Sequence, residues 1–227
     1  MLDIHTHILP GVDDGAQTHR QSLQMLAAAR DAGIDILVAT PHLKPKMENL
    51  ASITDAYNWL KPHAYEAGIS LLMGYEMFYQ VLLDVPFPEL KKFCISGTNA
   101  ILLELDSRHL FPHWNRVLEC LVQSGYEPVI AHPERYVYIQ EHPEIVGKIR
   151  RIGCRIQVSA RAFLKPPWDV ERRTAGKLKR LGWMDYIASD AHTPQDFKQM
   201  QAVLLKLQGH LPKEHSLAKS KFGLSTY

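Results

Sequence analysis

Residues 34–42 read IDILVATPH: an apolar, largely β-branched run, Asp35–Ala39, that stops at a proline followed by His42. A run without polar alternation is buried on both faces, as strands of a parallel sheet are. The pattern recurs in both directions. Leu2–His5, Ser70–Gly74, Ala100–Leu105, Glu127–Ala131, Cys154–Val158 and Asp185–Ala188 complete a set of seven predicted strands. Amphipathic stretches lie between them and predict helices over Gln21–Ala32, Ala51–Ala67, Trp114–Ser124, Pro143–Ile152, Val170–Leu181 and Gln195–Leu207. Gly33, Gly68, Gly125, Gly153 and Gly182 stand where helix C-caps fall. Such alternation implies an α/β fold with a parallel sheet, closed into a barrel or open and doubly wound. Both place functional side chains at the carboxyl ends of the strands.

A chain of 227 residues, 46% of them hydrophobic, is long enough to bury a sizeable core. No linker or low-complexity segment divides it, so one domain over residues 1–227 is expected. Its core runs to about residue 210, and residues 211–227 are basic and aperiodic, a tail or an interface segment. The start, MLDIHTHILP, lacks the basic and apolar regions of a signal peptide, and no apolar run reaches the about eighteen residues of a membrane span. Cys94, Cys120 and Cys154 are odd in number and widely spaced, which fits neither a disulfide framework nor a CxxC clip. A cytoplasmic protein is expected. A formal net charge of +2 excludes a strongly basic nucleic-acid binder or a polybasic membrane anchor. Oligomeric state is left open, with a homo-oligomer as one option.

The strand ends carry the chemistry. LDIHTH supplies His5 and His7, VATPH supplies His42, LLMGYE supplies Glu76, and ILLELD supplies Glu104. IAHPERY supplies His132, and IASDAH supplies Asp190 and His192; only the sixth predicted strand, CRIQVSA, ends without a strong ligand. With 12 histidines and 24 acidic residues in the whole chain, such recurrence is improbable by chance. Singly, each has a bland reading: an accidental HxH, a histidine beside a turn proline. Glu76 and Glu104 are harder to dismiss, because a carboxylate directly after an apolar strand is partly buried and needs a partner. Imidazoles and carboxylates without thiolates suit manganese, zinc or iron rather than a closed structural zinc site. Eight or nine ligands, at about four to six per ion, imply two or three divalent cations.

In order, MLDIHTHILPGVDDG, VATPH, GYE, LLELD, VIAHPERY and IASDAH resemble the polymerase-and-histidinol-phosphatase (PHP) superfamily, from Met1 to about His192. Within it, the HxH with its VDDG loop and the AHPERY segment are most similar to bacterial manganese-dependent protein-tyrosine phosphatases of capsular and exopolysaccharide loci. The resemblance implies a distorted (β/α)7, TIM-like barrel with three metals at its carboxyl mouth. It implies attack on phosphorus by a metal-held hydroxide. Its implied substrate is the tyrosine-rich cytoplasmic tail of a polysaccharide-export tyrosine kinase. Carried over, the metal ligands are His5, His7, Asp14, His42, Glu76, Glu104, His132, Asp190 and His192, with Asp13 as the alternative to Asp14. The family's phosphate-gripping arginine falls on Arg135; otherwise Arg135 is a salt-bridge residue. A second family arginine, just after the last motif, is missing here, and Lys198 is the nearest point charge.

Other features carry less. Met77–Phe78–Tyr79 forms either a wall for a phenyl ring or packing beneath a loop, and the basic stretch Arg172–Arg180 reads as a solvated helix face. No cysteine heads the Cys-x5-Arg cradle of a cysteine phosphatase. Rival readings are a small-metabolite phosphatase acting on a compound such as histidinol phosphate, an amidohydrolase-type C–N hydrolase, and a non-catalytic metal-binding scaffold. The second expects a bridging lysine at a strand end, and none is evident.

Overall fold

A computed structural model of the chain describes residues 1–207, so the predicted segment 211–227 lies outside the described residues. The strands are β1 (Leu2–Thr6), β2 (Ile36–Ala39), β3 (Ser70–Met73), β4 (Glu76–Phe78), β5 (Ala100–Glu104), β6 (Glu127–Ile130), β7 (Arg155–Ser159) and β8 (Tyr186–Ala188). They pair in parallel as β1-β2-β3 and β4-β5-β6-β7-β8. Two isolated bridges, Thr6 with Ala191 and His42 with Glu76, join these sheets into a ring. The first seam is carried by His7 N–H to the Ala191 carbonyl and Asp190 N–H to the His5 carbonyl, each 2.9 Å. This is the barrel that the resemblance implied, and it settles the choice between barrel and open sheet that the strand–helix alternation left open.

One expectation needs correction. The third predicted strand, Ser70–Gly74, is the first half of a strand broken at Gly74–Tyr75 and resumed at Glu76 as β4, which was not predicted. Gly74 is hemmed in: a Cβ there would meet Ile95 and Val38 at 3.1 Å. The break lets β3 stay on β2 while β4 pairs with β5 and starts at the candidate ligand Glu76.

Around the ring lie α1 (His19–Asp31), α2 (Leu50–Glu66), α3 (Tyr79–Asp84), α4 (Trp114–Gln123), α5 (Val137–Glu141), α6 (Glu144–Ile152), α7 (Val170–Arg180) and α8 (Pro194–Lys206). The short α3 and α5 escape prediction because five or six residues show no helical period. All the predicted cap glycines have φ between +66° and +114°. Among the described residues, no helix is long and apolar enough to cross a membrane.

The apolar side chains form two cores. A small inner one fills the ring with Leu2 and Ile4, Ile36 and Val38, Ala100 and Leu102, Val129, and Tyr186. The larger one lies between strands and helices and includes Leu37, Ile101, Leu103, Ile130 and Ile156. In β1 this layering conflicts with simple alternation: if Leu2 and Ile4 face inward, His5 and His7 should face out. A bulge resolves the conflict. Asp3 pairs with Leu37 but Thr6 with Ala39, three steps on β1 against two on β2, and the extra residue turns the HxH toward the barrel mouth.

The loop after β1 folds back on the same histidine. Ala16 N–H donates to the His7 carbonyl at 3.0 Å, and Gly11 N–H donates to the Ala16 carbonyl at 2.7 Å. A Cβ on Gly15 would overlap the His7 carbonyl and Cβ, so no larger residue fits without moving the HxH. Gly15→Ala is therefore expected to destabilise the protein by about 1–3 kcal/mol, read from the urea midpoint, and to weaken metal uptake in the same samples.

Candidate metal centre

The carboxyl ends of the strands converge on a cavity of about 350 Å³ lined by Asp14, His42, Glu76, Glu104, His132, Arg135, Arg161, Asp190 and His192. His5 and His7 lie beneath it, fully buried. All nine side chains singled out as candidate ligands come together here, in four overlapping clusters: His7–Asp14–His42–His192, His5–His7–Asp190, His5–Glu76–His132 and His42–Glu76–Glu104.

Glu76 is the hub. Its Oε2 lies 3.1 Å from His5 Nε2, 3.2 Å from His7 Nε2 and 3.2 Å from His42 Nδ1, and its Oε1 lies 2.8 Å from His132 Nε2. Asp190 Oδ1 lies 3.5 Å from both His5 Nε2 and His7 Nε2. The two Nε2 atoms of the HxH are only 3.2 Å apart. Two donors bound about 2.1 Å from a common cation lie about 3–4 Å apart, so these separations and this nitrogen-and-oxygen set suit shared divalent cations. Glu104 sits farther off, 3.9 Å from His132 Nε2.

Three of the five imidazoles are oriented from behind. His7 donates its Nδ1–H to Asp13 Oδ2 at 2.8 Å, and the Asp13 carboxylate also accepts from the N–H of His42 (3.2 Å) and of Gly15 (3.0 Å). His5 donates its Nδ1–H to Gln157 Oε1 at 3.0 Å, and His192 donates its Nδ1–H to the Asp190 carbonyl at 3.0 Å. In all three rings Nε2 is thereby left free to face the cavity. Asp196, at the start of α8, accepts from the N–H groups of His192 (3.1 Å) and Thr193 (2.8 Å), fixing the loop that presents His192. His132 and Asp190 both hold left-handed backbone, with φ of 31° and 52°, a strain typical of functional sites.

The VDDG doublet divides its labour. Asp13 is the buried orienter of His7, whereas Asp14 faces the cavity with its Oδ1 3.4 Å from His192 Nε2 and 3.6 Å from His42 Nε2. Arg135 is not a surface residue. It is partly buried, ion-paired with Asp190 and 3.4 Å from Ser159 Oγ, and its Nε is buried without a partner. Met77 packs in the core, Tyr79 stacks on Phe111 at 4.6 Å, and Phe78 is half-buried against Tyr79. Three buried residues were missed. Gln157 orients His5 and also accepts from His132 N–H at 3.3 Å, Glu134 accepts from Ser159 N–H at 3.0 Å, and Asp3 accepts from Ser189 N–H at 3.1 Å. A glutamine inside the apolar strand CRIQVSA was the available signal, since a buried amide needs partners.

Electrostatics follow from the crowding. Burial works to lower the pKa of His5, but Glu76 and Asp190 outweigh it and the net is raised. Burial opposes protonation of His7 too, yet its bond to Asp13, with Asp190 and Glu76, holds its pKa well above the ordinary value. Burial leaves His42 and His132 lowered. Glu76 and Asp190 are held well below the carboxylate range, because His5 and neighbouring cationic groups outweigh burial. Glu104 is pushed up to about 7, by burial and then by Glu76.

The parallel barrel is a fold shared with histidinol phosphate phosphatase from Lactococcus lactis, which superposes with TM-score 0.54 at 13% identity over 91% of this chain and 94% of that one. More particularly, the family model for capsular polysaccharide synthesis, CpsB/CapC, matches residues 1–214, and the chain belongs to that family. It is 29% identical over 196 residues to the tyrosine-protein phosphatase YwqE of Bacillus subtilis, covering 85% of this chain and 77% of that protein. It is 25% identical over 222 residues to the tyrosine-protein phosphatase CpsB of Streptococcus pneumoniae, covering 92% and 91%. One of the crystal structures of YwqE and CpsB, which are metal-dependent tyrosine phosphatases, superposes with TM-score 0.78 at 27% identity over 91% of this chain and 87% of that one.

A cation held by this donor set would compete with the protons that neighbouring carboxylates favour on His5 and His7 and that burial favours on Glu104. Manganese titration near pH 7 is expected to release protons into a lightly buffered solution, and affinity is expected to strengthen from about pH 6 to about pH 8. Asp13→Ala, which frees the His7 ring, should weaken manganese binding about 10–100-fold by calorimetry, without unfolding the barrel.

Proposed function

We propose that the chain is a metal-dependent tyrosine-protein phosphatase. Its single domain would hold two or three divalent cations on His5, His7, Asp14, His42, Glu76, Glu104, His132, Asp190 and His192, with manganese the first choice. The observation that carries this reading is the convergence of those nine side chains and Arg135 on one cavity. Bound cations of this kind supply an acidified water as nucleophile and positive charge for the phosphoryl oxygens.

The chain's own residues do the rest. Asp13 and Gln157 keep His7 and His5 as Nδ1–H tautomers, so both Nε2 atoms stay available at the cavity floor. Arg135 is poised on Asp190 and Ser159, from which its guanidinium can turn donors onto phosphoryl oxygens. No thiol takes part: among the described residues none of the cysteines lines the cavity, and burial pushes the Cys154 thiol up to about 12. A phenolate leaving group needs little acid assistance, so no dedicated proton donor is required.

As substrate we propose a phosphotyrosine protein, in particular the tyrosine-rich tail of a polysaccharide-export tyrosine kinase in the cytoplasm. Membership of a capsular polysaccharide family and similarity to tyrosine-protein phosphatases support this choice. The test is hydrolysis of a phosphotyrosine peptide by the purified chain. Chelator and His5→Ala should each abolish it, manganese should restore the chelated enzyme, and Arg135→Ala should lower kcat/KM on the order of 100-fold. Activity indifferent to chelator and to His5→Ala would overturn the metal mechanism. Faster turnover of histidinol phosphate than of the peptide would redirect the substrate.

A further inference from the structure

The same cavity holds a second arginine that the metal site leaves unused. Arg161 lines it together with Arg135, and these are its only cationic side chains other than histidines among the described residues. The two differ in their engagements. Arg135 is committed to Asp190 and Ser159, whereas Arg161 is exposed and has no hydrogen-bonding or ionic partner among the described residues. An unpaired guanidinium on the rim of a cavity otherwise rich in carboxylates has no structural task there, yet it offers a planar fork of donors suited to a phosphate.

Its position in the fold is also specific. Arg161 belongs to a 3-10 turn, Ala160–Leu164, that follows β7 directly. β7 corresponds to the one predicted strand, CRIQVSA, whose end brings no metal-capable side chain. Ala160 and Ala162 on either side of Arg161 are buried, and the turn packs against α7 and α8, so the arginine is carried on an anchored segment. A phosphoryl group presents three terminal oxygens. Cations held on the carboxylate and imidazole floor would engage some of these oxygens and Arg135, beside Asp190, another, which leaves room for a further donor on the cavity lining. Lys198 does not meet this need: it is exposed on α8 and does not line the cavity.

We infer that Arg161 is the second arginine of the phosphate site, acting with Arg135 on the phosphoryl oxygens. This rests on the phosphatase reading for its biological meaning, but the anion site can be measured without turnover. Inorganic phosphate is titrated calorimetrically into the manganese-loaded chain, its Arg161→Ala and Arg161→Lys variants, and Arg30→Ala, which removes an exposed cation from the far end of α1. Arg161→Ala should weaken phosphate binding about tenfold, with lysine recovering part of it. Manganese content and the Arg30→Ala affinity should be unchanged. In hydrolysis of the phosphotyrosine peptide, Arg161→Ala should raise KM by a similar factor with a smaller change in kcat.

Equal phosphate affinity in wild type and Arg161→Ala would overturn the inference, as would absence of phosphate binding to the loaded wild type. An equal loss in Arg30→Ala would overturn it too, because the effect would then be one of overall charge. Arg161-dependent phosphate binding without hydrolysis of any phosphomonoester would leave the anion site standing and remove the phosphatase reading. Normal hydrolysis untouched by Arg161→Ala would do the reverse.

Discussion

One buried carboxylate, Glu76, organises the centre of this protein. Four imidazoles approach its two oxygens at 2.8–3.2 Å, from strand ends that are distant in sequence. An unpaired carboxylate at that depth would cost several kcal/mol, so the side chain is tolerable only when the histidines are in place. Several departures from an ideal barrel serve this one requirement. The third strand breaks at Gly74–Tyr75 so that Glu76 begins a new pairing with β5 and bridges back to His42. The bulge in β1 turns His5 and His7 onto the same side as the carboxylate.

A second layer converts this crowd into an ordered one. Asp13, Gln157 and the Asp190 carbonyl each take an Nδ1–H, so tautomer choice is settled by groups that do not face the cavity. The same layer sets the charges, since His7 between Asp13, Glu76 and Asp190 is held protonated more firmly than His42 or His132. Arg135 extends the order outward by pairing with Asp190, so the guanidinium proposed for the phosphate is tied to the candidate cation ligands through one shared carboxylate.

Much of this was legible in the amino-acid sequence because both signals involved are local. Apolar runs such as ILVA and AILLE announce strands, and a histidine or carboxylate immediately after each announces a mouth. The gaps have equally physical causes. The division of the third strand depends on how tightly Ile95 and Val38 crowd Gly74, which no local pattern records. Asp13 and Asp14 are neighbours with opposite roles, separable only by which one lies under His7. Gln157 and Asp3 act across the barrel on residues far away in the chain, and Arg161 sits in an Ala-Arg-Ala turn whose composition gives no hint that it faces a cavity.

The seam between β8 and β1 carries a consequence for how the protein comes into being. Asp3 accepts from Ser189 across 186 positions of sequence, and the candidate ligands His7 and His192 stack at 4.1 Å beside that same joint. Contacts of such separation form late, after the loops between them have been closed. In order of synthesis His5 and His7 precede Asp190 and His192 by more than 180 residues, so the candidate ligand set is incomplete until the final strand is made. The complete donor set thus comes into existence in a single event, the docking of the last strand on the first. A cation that needs donors from both ends of the chain would therefore find its site only in the finished barrel.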